Sequence, residues 1–98
     1  MVYTINVAFE WNNEKARINA AKHGISFKTA SAVFYDPFSL IEDDFRHSAG
    51  EPRYWLIGNS DKGVLMVIFT VRPGNLIRII SAWKASPEER RSYEEEKI

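Results

Sequence analysis

Apolar positions recur along this chain with two different periods, and each change of period marks an element. Residues 2–10 (VYTINVAFE) hold Val2, Tyr3, Ile5, Val7 and Phe9, strand formers with the odd positions alternating, and predict an opening strand. Asn12 or Asn13 can then cap a helix running through EKARINAAKH, with Glu14 in its first turn and Lys22 and His23 suited to its last carbonyls. Gly24 supplies the left-handed residue that ends it. Ser26 caps a second helix, FKTASAVFYD, whose Phe27, Ala30, Val33 and Phe34 form an apolar stripe at helical spacing. Asp36-Pro37 stops it, because a residue before proline avoids helical geometry.

The period then shortens to two. Ser39–Glu42 predicts a short strand, and the acidic stretch DDFRHSAGEP (43–52) an exposed loop. Strands are expected at Arg53–Gly58, Val64–Val71 and Leu76–Trp83, joined by Asn59–Gly63 and by the hairpin turn Arg72-Pro-Gly-Asn75. If Val71 faces Leu76, Phe69 faces Arg78. Arg78 then shares a face with Leu76, Ile80 and Ala82, leaving Thr70, Arg72, Ile77, Ile79, Ser81 and Trp83 on the other. Ser86-Pro87-Glu88-Glu89 opens a last helix with a capping box; Tyr93 is its main apolar anchor. The order predicts one α+β domain over residues 1–98: a twisted antiparallel sheet, two N-terminal helices on one face, and a short C-terminal helix.

Composition narrows the function classes. With 98 residues, 13% aromatic content and no cysteine, the chain can build a core without disulfides and offers no thiolate metal site. That suits a reducing cytoplasm. No segment approaches a membrane span, and the N-terminus lacks a basic region followed by an apolar run, so a soluble, unprocessed protein is expected. The two histidines lie far apart, and no glycine-rich phosphate loop or Ser-His-Asp arrangement stands out, so neither metal nor cofactor is expected. Formal net charge is zero, yet residues 36–61 hold six acids against Arg46 and Arg53, whereas residues 62–84 hold Lys62, Arg72, Arg78 and Lys84 with no acid. A neutral total can hide a basic face.

Arg53, Arg72 and Arg78 sit at the start, end and middle of apolar strand-like runs. A guanidinium on a sheet is costly unless an anion meets it or it reaches water, and its planar fork matches phosphate. A nucleic-acid backbone is the first ligand to consider.

Three segments extend this reading: FEWNNEKARINAAKHGISFKTASAVFYDP, RHSAGEPRYWLIGNSDKG and VLMVIFTVRPGNLIRIISAWKASPEERRSYE. Together, and above all in Lys22-His23-Gly24-Ile25-Ser26-Phe27 and in Ile79-Ile80-Ser81-Ala82 followed by Glu89 and Tyr93, the chain resembles the BrnT toxins of bacterial type II toxin–antitoxin systems. The resemblance implies a RelE-like ribonuclease fold and a metal-free endoribonuclease that cuts mRNA and arrests growth. It also implies a hetero-oligomer with a BrnA-like antitoxin that carries the DNA-binding element, so DNA is met only through the complex. One position departs from the family pattern: Trp83 stands where an arginine usually follows Ile-Ser-Ala, with Lys84 next. That implies a weakened enzyme acting as an antitoxin-binding module, a shift of the contact to Lys84, or a change introduced to make a toxic protein producible.

Cutting RNA without a metal needs a base for the 2′-hydroxyl, charge stabilisation at phosphorus and an acid for the leaving oxygen. Arg53, Arg72 and Arg78 suit the second role. His47 or Glu51 could move the protons, although Glu51 could instead pair with Arg53 or Arg46. Lys84, Lys22, His23 and Tyr93 are candidate RNA contacts, and Trp83, Trp55 and Tyr54 could stack on bases. His23 and Lys22 could equally serve only the end of their helix.

Overall fold

The computed structural model describes residues 7–44 and 50–97. Element order is β1 (Ala8–Glu10), α1 (Asn13–His23), α2 (Phe27–Ala32) with a 3₁₀ turn at Val33–Tyr35, β2 (Leu40–Asp43), β3 (Tyr54–Ser60), β4 (Gly63–Arg72), β5 (Leu76–Lys84) and α3 (Pro87–Lys97). Among the described residues the strands form one sheet in the order β1-β5-β4-β3-β2. No described helix is long and apolar enough to cross a membrane.

Local chemistry sets the helix ends. Asn12 Oδ1 accepts from the Lys15 amide at 3.0 Å, and Ser26 Oγ from the Thr29 amide at 3.0 Å, so each satisfies a donor that the first turn would otherwise leave open. Gly24 ends α1 at φ 71°, with its amide bonded to Ala20 O. Ser86 and Glu89 exchange the two bonds of a capping box, at 2.8 and 3.1 Å. The second helix is shorter than its pattern predicts. Val33, Phe34 and Tyr35, β-branched or aromatic, tighten into the 3₁₀ turn ahead of Asp36-Pro37.

One face of the sheet carries the core. Ile25, Phe27, Ala30 and Val33 pack against Leu56, Leu65, Val67, Phe69, Ile79 and Ala82, all buried. Each large side chain contributes about 1.5–3 kcal/mol by leaving water. A row of rings, Phe9–Phe34–Phe69–Tyr54, with centroids 4.9–5.4 Å apart, ties β1, the 3₁₀ turn, β4 and β3 together on this face. At Gly58 an added Cβ would lie 2.6 Å from Val33 Cγ1, so the turn seats directly on the β3 backbone. That close approach lets the Asp36 carboxylate reach the Asn59 amide at 2.7 Å.

Four expectations are corrected. The sheet is not antiparallel throughout: β1 pairs with β5 in parallel, because the two helices between β1 and the meander return the chain to the same end of the sheet. Asp44, assigned to an exposed loop, is buried; its amide bonds Arg53 O at 2.8 Å and so extends the β2–β3 ladder one step beyond Asp43. The β4–β5 hairpin pairs Arg72 with Leu76 and Val71 with Ile77, one step from the expected register. The turn uses three residues, with Gly74 and Asn75 both at positive φ, and Arg72 stays in the ladder. Arg78 therefore faces Thr70, not Phe69, and Arg72 and Arg78 come to the same face. Finally, Phe69 pairs with Ile79 but Ile68 with Ser81, which leaves Ile80 as a bulge. The bulge resets the alternation. Ala82 joins Ile77 and Ile79 toward the core, while Ser81 and Trp83 turn to the opposite face beside Ile80.

Candidate nucleic-acid interface

The face opposite the core presents Glu10 from β1, Arg72, Thr70, Ile68 and Met66 from β4, Arg78, Ile80, Ser81 and Trp83 from β5, and Trp55 from β3 with Arg53 just before it. The first turns of α3 flank one end, where Glu88, Glu89 and Ser92 line a cavity with Trp55, Ile57 and Met66.

At the β1 edge two arginines meet. The parallel register sets Glu10 beside Arg78. Arg78 Nη1 donates to Glu10 Oε1 at 3.2 Å, and Arg72 Nε lies 3.1 Å from the same oxygen. Glu51 Oε2 is 3.5 Å from Arg72 Nη2, a partner other than the two expected for it, of which Arg46 lies outside the described residues. Side-chain exposure is 31% for Arg78 and 40% for Arg72, which leaves both forks in reach of a ligand.

Arg53 belongs to a neighbouring recess. It lines a central cavity of about 260 Å³ with Asp44, Trp55, Ile68, Ile80 and Trp83. Trp83 is also a wall of a wider basic cleft, lined by Lys22, His23, Ser81 and Lys84. The His23 and Trp83 ring centroids are 5.9 Å apart. Four of the seven expected RNA contacts, Lys22, His23, Trp83 and Lys84, are thus gathered into one cleft, with two ammonium groups beside an indole: charge for a backbone and a π-face for a base.

The cleft has a clamp that the sequence reading did not single out. Beyond Arg78, β1 no longer covers the edge of β5, and the buried Asn19 amide from α1 takes over. Its Nδ2 donates to Ala82 O at 2.8 Å and to Ile25 O at 3.0 Å. Its Oδ1 accepts from the Ala82 amide at 3.2 Å and from Ser81 Oγ at 3.1 Å. All the hydrogen-bonding capacity of the amide is used. The clamp holds the strand just past the bulge, where Ser81, Trp83 and Lys84 meet Lys22 and His23. An asparagine inside a helix, a poor helix former, was the available signal. Glu10 was also missed, since nothing near it in sequence points to a partner 68 residues away.

Tyr93 does not join the cleft. It is 3% exposed, and its hydroxyl donates to Asp36 Oδ2 at 2.6 Å, which anchors α3 to the end of the 3₁₀ turn. Burial, and then the Asp36 carboxylate, push the phenol up to about 12, so its proton stays on Tyr93 at neutral pH. Tyr54 is turned to the core, stacked on Phe69. His47 lies outside the described residues.

Comparison with known proteins agrees with this fold. A crystal structure of the Brucella abortus ribonuclease toxin BrnT superposes with a TM-score of 0.65 at 22% identity, covering 83% of this chain and 99% of that one. No curated protein sequence matches the chain. The family model described as the ribonuclease toxin BrnT of type II toxin–antitoxin systems matches residues 11–89, a span holding the central cavity, the Trp83 cleft, Arg72 and Arg78. The chain belongs to the BrnT ribonuclease toxin family of type II toxin–antitoxin systems.

Proposed function

We propose that this chain is an endoribonuclease that cuts mRNA without a metal, by attack of a 2′-hydroxyl on the adjacent phosphate, and that a cognate antitoxin neutralises it. One observation carries the reading: two guanidinium forks converge on a single oxygen on the sheet face that also bears the Trp83 cleft. In this account Lys22 and Lys84 hold the backbone, Trp83 stacks on a base, and Arg72 and Arg78 take the charge that builds on the non-bridging oxygens. Such contacts strengthen as charge develops, which favours the transition state over the bound substrate. Arg53, in the adjoining cavity, meets the next stretch of backbone. For proton transfer the cleft contains His23, and an imidazole is the common carrier of a proton in either direction.

The chemistry leaves a signature. Purified protein incubated with single-stranded RNA in excess EDTA is expected to yield fragments with 2′,3′-cyclic phosphate and 5′-hydroxyl ends. Intact RNA, or 5′-phosphate and 3′-hydroxyl ends, would contradict the proposal.

A further inference from the structure

We infer that Glu10 is a resident substitute for phosphate: in the free protein its carboxylate occupies the place between Arg72 and Arg78 that an RNA phosphate takes on binding. The inference rests on the ribonuclease reading and adds a competitor to it. Glu10 ends β1 on the open face, level with Arg78, and a single one of its oxygens serves both cations, at 3.1 and 3.2 Å. The match is good in charge and poor in shape. Arg78 gives that oxygen a hydrogen bond, but Arg72 Nε, though buried and within ion-pair distance, has no hydrogen-bond partner. A single carboxylate oxygen shared by two cations leaves one fork unaligned. A phosphodiester presents its non-bridging oxygens in tetrahedral directions and can take one fork on each.

Displacement is inexpensive. Glu10 is 34% exposed and Arg78 31%, so water screens the pair and the freed carboxylate can swing into solvent. The fold does not depend on the pair, because β1 is held by its ladder with β5 and by the edge-to-face contact of Phe9 with Phe34. Glu51, 3.5 Å from Arg72, adds a second negative charge at the same place. Two arginines and two glutamates make the station neutral until RNA arrives, which agrees with a chain of zero net charge serving a polyanion.

The test is binding of a 2′-O-methyl RNA oligonucleotide, which lacks the attacking hydroxyl, measured by fluorescence anisotropy over a range of salt. Glu10→Gln keeps the shape and removes the charge. It is expected to tighten binding about five-fold or more at every salt concentration, because the same phosphate is bound without a carboxylate to displace. Glu10→Ala, which removes the side chain, should shift in the same direction. Unchanged or weaker binding by both variants, with wild-type protein binding and cutting RNA normally, would overturn this inference alone: Glu10 would then be orienting the arginines. Failure of wild type and both variants to bind the oligonucleotide would overturn the inference and the ribonuclease reading together.

Discussion

Replacing Arg78 with alanine is expected to slow RNA cleavage by about 10²–10³-fold, the scale of losing one preorganised donor to a developing oxyanion. Arg78 lies in the middle of β5 between Leu76 and Ile80 on the face opposite the core, and its fork meets the same Glu10 oxygen that Arg72 approaches. The stability cost should be small, about 1 kcal/mol or less, because the ion pair it breaks is part-exposed. Arg78→Lys keeps the charge but not the fork, and should recover only part of the rate. Initial cleavage rates beside thermal melts separate the two effects. A folded Arg78→Ala protein that cuts RNA at the wild-type rate would remove this residue from the mechanism.

The second large effect is structural. Asn19→Leu should destabilise the protein by about 3 kcal/mol, because the Ala82 amide, Ala82 O and Ile25 O all lose their partner where little water enters. For a chain of this size that is a fall in Tm of roughly 15 °C. Asn19→Asp should be worse: it keeps the acceptor, loses both donors, and sets a negative charge against two carbonyl oxygens inside the protein. Thermal or urea melts check both. A loss below about 1 kcal/mol would mean that the β5 edge is held by something other than this clamp. In such variants Ser81, Trp83 and Lys84 lose their fixed relation to Lys22 and His23, so RNA affinity should fall with stability.

What the sequence makes legible here is what neighbours in sequence decide. The Asn12 and Ser26 caps, the Gly24 stop and the Ser86–Glu89 capping box each depend on residues within one turn, and each stands as read. The hairpin was visible in Pro73-Gly74-Asn75, but its register was not. Moving one residue from turn to ladder exchanges every partner, and two consecutive left-handed residues settled the matter. The bulge at Ile80 has no local mark, yet it sends Ser81 and Trp83 to the open face and Ala82 to the core. Glu10 and Asn19 were hidden for a related reason: each acts across more than 60 residues, through parallel pairing of β1 with β5 and through a side chain standing in for that strand. Asp44 shows the same limit in reverse, since an acidic stretch gives no hint that its first backbone step continues a ladder.

The family resemblance was legible because it lies in residue types at fixed spacing. Lys22-His23-Gly24 closes α1 so that a lysine and a histidine emerge beside β5, and the strand after the bulge brings Trp83 and Lys84 to meet them. The three arginines needed coordinates. Two of them share a carboxylate, and the third faces a separate cavity.

The most direct test of the central claim, that RNA lies on the side of the sheet opposite the core, at the Trp83 cleft and the arginine pair, is an NMR titration of labelled protein with a 2′-O-methyl oligonucleotide. The account predicts shift changes concentrated at Lys22, His23, Arg72, Arg78 and residues 81–84. Changes confined to the opposite side, around Lys28 and Tyr35, or no changes at all, would contradict it.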